Sequence, residues 1–180
     1  MPTIRVEPLT AAAYAPFGYV LGERPAATQN DVTVGVIAAF WAERDFGVGP
    51  GGVTQFIWAV YAPSTPQTEH MESHRLTEQA IIPVTGKPIL HLVAPPNADP
   101  SAADNVPDLS QAKAFLLDGT KGVVMARGTW HCHFGLVPET VYCVLTRRST
   151  TDDILAGRLD NALMKETVLR PIEQVTLVLA

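Results

Sequence analysis

Thiols are scarce: Cys132 and Cys143 are the only cysteines in 180 residues, too few for a disulfide-stapled scaffold or a four-thiolate zinc centre. No segment approaches the roughly 18 unbroken apolar residues of a membrane-spanning helix. The opening MPTIRVEPLT lacks the charged-then-apolar pattern of an export leader. A cytoplasmic protein with reduced thiols and no membrane partner is therefore expected. Basic residues are also few, 13 against 18 acidic ones, for a net charge of −5 with no basic cluster. That argues against nucleic acid as a partner, because a phosphate-backbone binder needs grouped cations to release counterions. Charged residues make up only 17% of the chain and apolar ones 47%. This balance favours a packed globule over a disordered chain, and one domain over residues 1–180. A chain of this length buries roughly 70% of its unfolded surface.

Fifteen prolines and 13 glycines are spread along the chain, marking many short elements joined by turns. Ile4–Val6 reads as a strand and Leu9–Phe17 as one or two helical turns stopped by Pro16 and Gly18. Residues 31–41 and 53–62, on either side of GVGPGG, suggest a long hairpin. Residues 78–84 and 87–94 suggest a second hairpin around Gly86, with Pro83 at a strand end or bulge. After an aperiodic loop at 95–107, residues 108–119 carry the best helical signature. Asp108 or Ser110 can cap it, Leu109, Ala112, Phe115 and Leu116 form a stripe, and Gly119 stops it. GVVMARG, WHCHFGLV and TVYCVLTR read as three strands. Asp152–Met164 is ambiguous, with room for a helical turn, and ETVLRPIEQVTLVLA ends the chain as two more strands. Nine to eleven short strands with little helix indicate an all-β sandwich or barrel of jelly-roll type.

The chemistry concentrates in HMESHRLTEQAIIPVTG, residues 70–86, and in RGTWHCH, residues 127–133. Strand side chains alternate faces. An extended 70–74 therefore aims His70, Glu72 and His74 one way and Met71 and Ser73 the other. Extended 127–133 aligns Arg127, Thr129, His131 and His133, with Trp130 and Cys132 opposite. Two strands presenting imidazole, carboxylate and guanidinium on one face suit paired acid–base work or a metal held from two strands. The structural alternatives are ordinary ones. His91 inside ILHLV reads as a satisfied core histidine, His70 and Glu78 as solvent-facing, Cys132 and Cys143 as buried small hydrophobes, and Trp130 as core.

Glu72-x-His74 followed by Glu78 or Gln79, with GTWH at 128–131, resembles the two half-motifs of the cupin barrels. Four segments in order sharpen the likeness: PLTAAAYAPFG, ESHRLTEQAIIPVTG, DLSQAKAFLLDG and GVVMARGTWH. Together they resemble the ureidoglycolate lyase family over positions 7–147. The resemblance implies a cupin-type jelly-roll β-barrel with one or two short helices, commonly a homodimer, that splits ureidoglycolate into glyoxylate and urea. Matching positions are Glu72, His74, Gln79, Arg127 and His131. The chain departs from the family where an Asn-Tyr-His run is replaced by Val124, Met125 and Ala126. It departs again at Thr146, where an Asp is usual, and at Cys132-His133, where His-Pro is usual. These exchanges remove polar groups and add one imidazole.

A lyase acting on a small carboxylate with a carbinolamine centre is thus expected. His74 and His131 would form the acid–base pair, tuned by Glu72. Arg127 would hold the substrate carboxylate, with Gln79 and His133 as further substrate contacts. Either no cofactor is needed, or one divalent metal (Ni, Zn, Mn or Fe) sits on Glu72, His74, Gln79 and His131. The metal-dependent version admits an isomerase, hydrolase or dioxygenase on another small molecule; a non-catalytic binder is the remaining alternative.

Overall fold

The computed structural model describes residues 2–23, 32–39, 45–100, 102, 104–157 and 166–179. In chain order the elements are β1 (Thr3–Pro8), α1 (Ala11–Tyr14), β2 (Gly18–Leu21), β3 (Val32–Val34), β4 (Ile37–Ala39), β5 (Thr54–Tyr61), β6 (Gln67–His74), β7 (Gln79–Pro83) and β8 (Ile89–Ala94). A single 3-10 turn at Leu109–Gln111 leads to β9 (Lys113–Leu117), β10 (Gly122–Met125), β11 (Trp130–Gly135), β12 (Thr140–Arg147), α2 (Arg148–Gly157) and β13 (Thr167–Val178). No described helix is long and apolar enough to cross a membrane.

Six strands close into a ring in the order β1-β13-β6-β11-β8-β9, and β1 seals it by pairing parallel to both β13 and β9. A five-stranded sheet, β2-β10-β7-β12-β5, lies against the ring, and β3 and β4 form a small hairpin. The expected all-β fold with one or two short helices is what forms, with two helices among the described residues and sheets arranged as in a sandwich or jelly roll.

Alternation along the strands divides the apolar residues between two cores. Leu90, Leu92 and Ala94 of β8 point into the ring with Met71, Ala114, Trp130, Phe134 and Val168. Ile89 and Val93 point the other way. They meet Ile81, Phe115, Leu117, Val123, Met125, Tyr142 and Val144 in the space between the two sheets. A strand covered on both faces reads as an unbroken apolar run, which explains why every residue of β8 is buried. Each fully buried Leu, Ile or Phe stabilises the fold by ~1.5–3 kcal/mol.

Four elements differ from the sequence reading. The helix expected over 108–119 is one 3-10 turn followed by β9. Asp108 Oδ1 accepts from the Ser110 amide at 2.9 Å and its hydroxyl at 2.7 Å, which closes the turn. Ala114 then faces the ring while Phe115 and Leu117 serve the inter-sheet core, so strand alternation fills both cores where a helix could fill only one. Residues 31–41 and 53–62 do not pair with each other: all eight residues of β5 register with β12, and Asp31, Phe40 and Trp41 fall outside the described residues. The GVGPGG segment instead docks on Arg147, which donates to the carbonyls of Val48 at 2.7 Å and Pro50 at 3.2 Å. β7 and β8 likewise belong to different sheets, with Gly86 (φ 67°) between them, although Pro83 ends β7 as expected. The final segment is one long strand with a register break between Pro171 and Val175.

Helix α2 begins at Arg148, upstream of the ambiguous 152–164 region; residues 158–165 lie outside the described set. It is tied to β13 by the buried Asp153. The Asp153 carboxylate accepts the backbone amides of Glu166 and, at 2.9 Å, Thr167. Asp153→Ala would leave two buried donors without a partner, each costing ~1–3 kcal/mol. Urea titration should show a loss of ~2–5 kcal/mol with an unchanged slope, and a loss below 1 kcal/mol would contradict this anchoring role.

Candidate active site

The inter-sheet space is apolar at one end and carries imidazoles at the other. β6 contributes Glu72 and His74, β11 contributes His131 and His133, β8 contributes His91 and β7 contributes Gln79. Register brings these residues together: His131 stands opposite Glu72 and His133 opposite His91. β6 and β11 register at that single position and leave a cavity of about 380 Å³ lined by Tyr61, Glu72, His131 and His133, with His70, Thr68, Cys132 and Leu169 around it.

The imidazoles form a row. The rings of His74 and His131 are 5.2 Å apart, those of His131 and His133 5.4 Å, and those of His133 and His91 4.7 Å in a stack tilted by only 10°. Hydrogen bonds fix both ends. Gln79 Nε2 donates to His74 Nε2 at 2.9 Å, so the proton of His74 sits on Nδ1, which faces Thr167 Oγ1 at 3.2 Å. At the far end Tyr14 Oη lies 3.0 Å from His91 Nε2. His131 Nδ1 donates to the Thr129 carbonyl at 3.1 Å. Its Nε2 comes within 3.2 Å of Glu72 Oε1 but out of line for a hydrogen bond, so this buried nitrogen has no aligned partner.

Burial and charge set the protonation states. Burial lowers His74 to about 4, despite the opposing pull of Glu72. Burial, with His131 next in weight, lowers His133 to about 3. Burial and His133 hold His91 well below the ordinary imidazole value. For Glu72 burial alone would raise the carboxyl, but contact with His131 and the charges of His131, His74 and His133 bring it down to about 2. At neutral pH a carboxylate therefore stands beside three uncharged imidazoles. Burial, then Glu72, keeps the Tyr61 phenol protonated.

Glu72, His74 and His131 each offer a ligand atom, and these atoms lie within 4.8 Å of one another. Two imidazoles and a carboxylate are a common donor set for Zn, Ni, Mn or Fe. The unmatched Nε2 of His131 is consistent with a group that completes the site.

Of the residues singled out in the sequence, Glu72, His74, Gln79, His131 and His133 converge. Arg127 does not. The chain turns at Ala126–Thr129, with the Thr129 amide bonded to the Ala126 carbonyl at 3.0 Å, and the strand begins only at Trp130. The two-residue alternation from His131 back to Arg127 is broken there, and the guanidinium is exposed. His70 lies exposed at the cavity edge. Trp130 is core as expected, whereas Cys132 and Cys143 are only half-buried. Glu78 is half-buried and accepts the Gly47 amide at 2.8 Å. Sequence reasoning missed Tyr61, Tyr14 and Thr167 and underrated His91. The inward alternation of β5 would have exposed Tyr61. Nothing local marks Tyr14 or Thr167, which reach the site through tertiary pairing.

A sequence profile described as Ureidoglycolate lyase matches residues 1–166. The chain belongs to the ureidoglycolate lyase family. The match reaches further at both ends than the motifs at 7–147 and includes every strand that carries the imidazole row. Relatives named ureidoglycolate lyase include a Burkholderia mallei protein, 35% identical over 134 residues, covering 73% of this chain and 74% of its own. An Azotobacter vinelandii protein is 33% identical over 73% of this chain and 76% of its own. A Pseudomonas fluorescens protein is 33% identical over 73% and 75%. Within this family frame, the structure puts Met125 of the departing Val124-Met125-Ala126 run in the inter-sheet core and in register with Gln79.

Proposed function

We propose that the protein is a carbon–nitrogen lyase that splits ureidoglycolate into glyoxylate and urea, working in the cavity beside Glu72, His74 and His131. The observation that carries this reading is the convergence of one carboxylate and two imidazoles, within 4.8 Å of one another, in a member of this family. Ureidoglycolate carries a hydroxyl and a ureido nitrogen on the same carbon. Removing the hydroxyl proton lets the C–O bond become the aldehyde carbonyl as the C–N bond breaks, and the departing nitrogen takes a proton to leave as urea. No water is consumed. His74, uncharged at neutral pH, accepts the hydroxyl proton at Nε2 in place of the Gln79 hydrogen bond, and His131 supplies the nitrogen with one from Nε2. Glu72 stays ionised, its Oε1 3.2 Å from His131 Nε2. With Arg127 on the surface, His133, Gln79 and the Tyr61 hydroxyl are the groups left to hold the substrate's carboxylate and ureido oxygen.

The donor set favours a metal-assisted version of the same reaction. Glu72, His74 and His131 would hold one divalent ion, with Gln79 adjacent. Such an ion, when bound, polarises the substrate oxygens and stabilises the charge that develops on them. Metal analysis of the purified protein is expected to find close to one divalent ion per chain. Dialysis against chelator should then lower turnover by more than tenfold, reversibly. Unchanged turnover after metal removal would leave the reaction to the side chains alone.

The direct test is glyoxylate release from ureidoglycolate above the spontaneous rate. A rate equal to the background, with or without added metal, would overturn the reading.

A further inference from the structure

Hydrogen bonds hold three rings of the imidazole row. Gln79 and Thr167 hold His74, the Thr129 carbonyl holds His131 and Tyr14 holds His91. His133 lines the cavity, yet its buried Nε2 has no partner among the described residues. Its flanks hold it instead. His91 stands opposite it in register and stacks on it at 4.7 Å with a 10° tilt, while Tyr61 meets it edge-on at 5.9 Å. His91 is anchored in turn. The Tyr14 phenol is fully buried, and burial keeps it protonated. It donates to His91 Nε2 at 3.0 Å, so the ring's own proton sits on Nδ1, a second buried atom without a partner. The Tyr14 ring is itself wedged against Phe17 and Phe115, with centroids 5.8 and 5.5 Å away.

Buried nitrogens without partners cost stability that aliphatic side chains in the same places would not. Packing alone gives no reason to keep them. The family resemblance puts a proline where this chain has His133, and a proline offers neither a flat face to stack nor a nitrogen to bind with. On the lyase reading above, we infer that Tyr14 and His91 are positioning residues: they set the plane of the His133 ring and so govern how tightly the cavity takes the substrate's carboxylate. A hydrogen bond weakens steeply once donor and acceptor leave line. A ring free to turn would lose the carboxylate, whereas a ring stacked on an anchored neighbour stays aimed. Proton transfer falls to His74 and His131, so the device acts on substrate binding and leaves the chemical step alone.

Tyr14→Phe removes the anchoring hydroxyl and keeps the ring; His91→Phe keeps the flat face and removes the anchored nitrogen. Each should raise KM for ureidoglycolate about tenfold, the loss of one hydrogen bond to a charged group, and leave kcat within about twofold. In a His133→Ala background neither should raise KM further, because the effect passes through that ring. If the wild type turns over and KM is unchanged in both folded variants, the inference is overturned and the lyase reading stands. A KM rise that persists without His133, or a loss in kcat alone, overturns it as well. If the wild type shows no turnover, the lyase reading fails and calorimetric titration with glycolate, a small hydroxy acid, decides. Weaker binding to both variants, with no further loss in the His133→Ala background, upholds the inference; equal binding, or none to the wild type, overturns it. Circular dichroism checks folding, and if His91→Phe does not fold, Tyr14→Phe decides.

Discussion

Acidification from pH 7 to pH 4 is expected to remove much of the protein's stability, beginning well above the usual carboxylate range. The folded state keeps His74 and His133 uncharged, with values lowered to about 4 and about 3. The unfolded chain takes up protons on both as soon as the pH falls below the ordinary imidazole value near 6.5. The contribution of these groups is therefore fully present above about 6.5 and is lost as the pH falls through 4 and 3. Glu72, lowered to about 2, adds a later loss that begins below its ordinary value of 4.5. At ~1.4 kcal/mol per pH unit, His74 alone accounts for ~3 kcal/mol across its window, against a total stability of ~5–15 kcal/mol for a domain. Urea midpoints taken between pH 8 and pH 4.5 should fall steadily below pH 6.5. His133→Phe, which preserves a flat ring against His91, should flatten the fall. A midpoint constant from pH 7 to pH 5 would mean that these imidazoles are not held neutral by burial.

His131→Ala should reduce kcat/KM for ureidoglycolate by ~10²–10⁴, the range for a well-placed proton-transfer group. Glu72→Gln should cost less, because it withdraws the charge beside His131 without removing the ring. Arg127→Ala should change kcat/KM by less than about twofold, since the guanidinium lies on an exposed turn away from the cavity. Steady-state glyoxylate formation measures all three. Equal losses for Arg127→Ala and His131→Ala would mean that the cavity between β6 and β11 is not where the substrate sits.

Much of this was legible in the residues. The two-residue alternation of strands placed Glu72 and His74 on one face, and His131 and His133 on another, before any pairing was known. The same rule misplaced Arg127, because it holds only while the backbone stays extended and Gly128 (φ 84°) turns the chain there. The helix expected at 108–119 failed for a related reason. Leu109, Ala112, Phe115 and Leu116 fit a helical stripe, but Ala114, Phe115 and Leu117 also fit the alternating faces of a strand, and the need to fill two cores at once decides between them. Strand partners were less accessible still. GVGPGG looks like a hairpin turn, yet its carbonyls satisfy Arg147, and β5 finds its partner some ninety residues downstream. Loops that bridge sheets look locally like loops that join neighbours. His91 was undervalued because its surroundings in the sequence are purely apolar; only register reveals that it stacks on His133.

The placement of β1, parallel to β13 on one side and to β9 on the other, has a consequence for biogenesis. β1 cannot reach its final seat until β13, which lies far downstream in the chain (Thr3 pairs with Thr176), has been made. Until then Val6 waits without the Val175 and Leu177 that share its core. Closure is thus a late event joining distant parts of the chain, the kind of contact that slows folding. Nascent chains stalled before β13 should remain sensitive to protease throughout the ring strands.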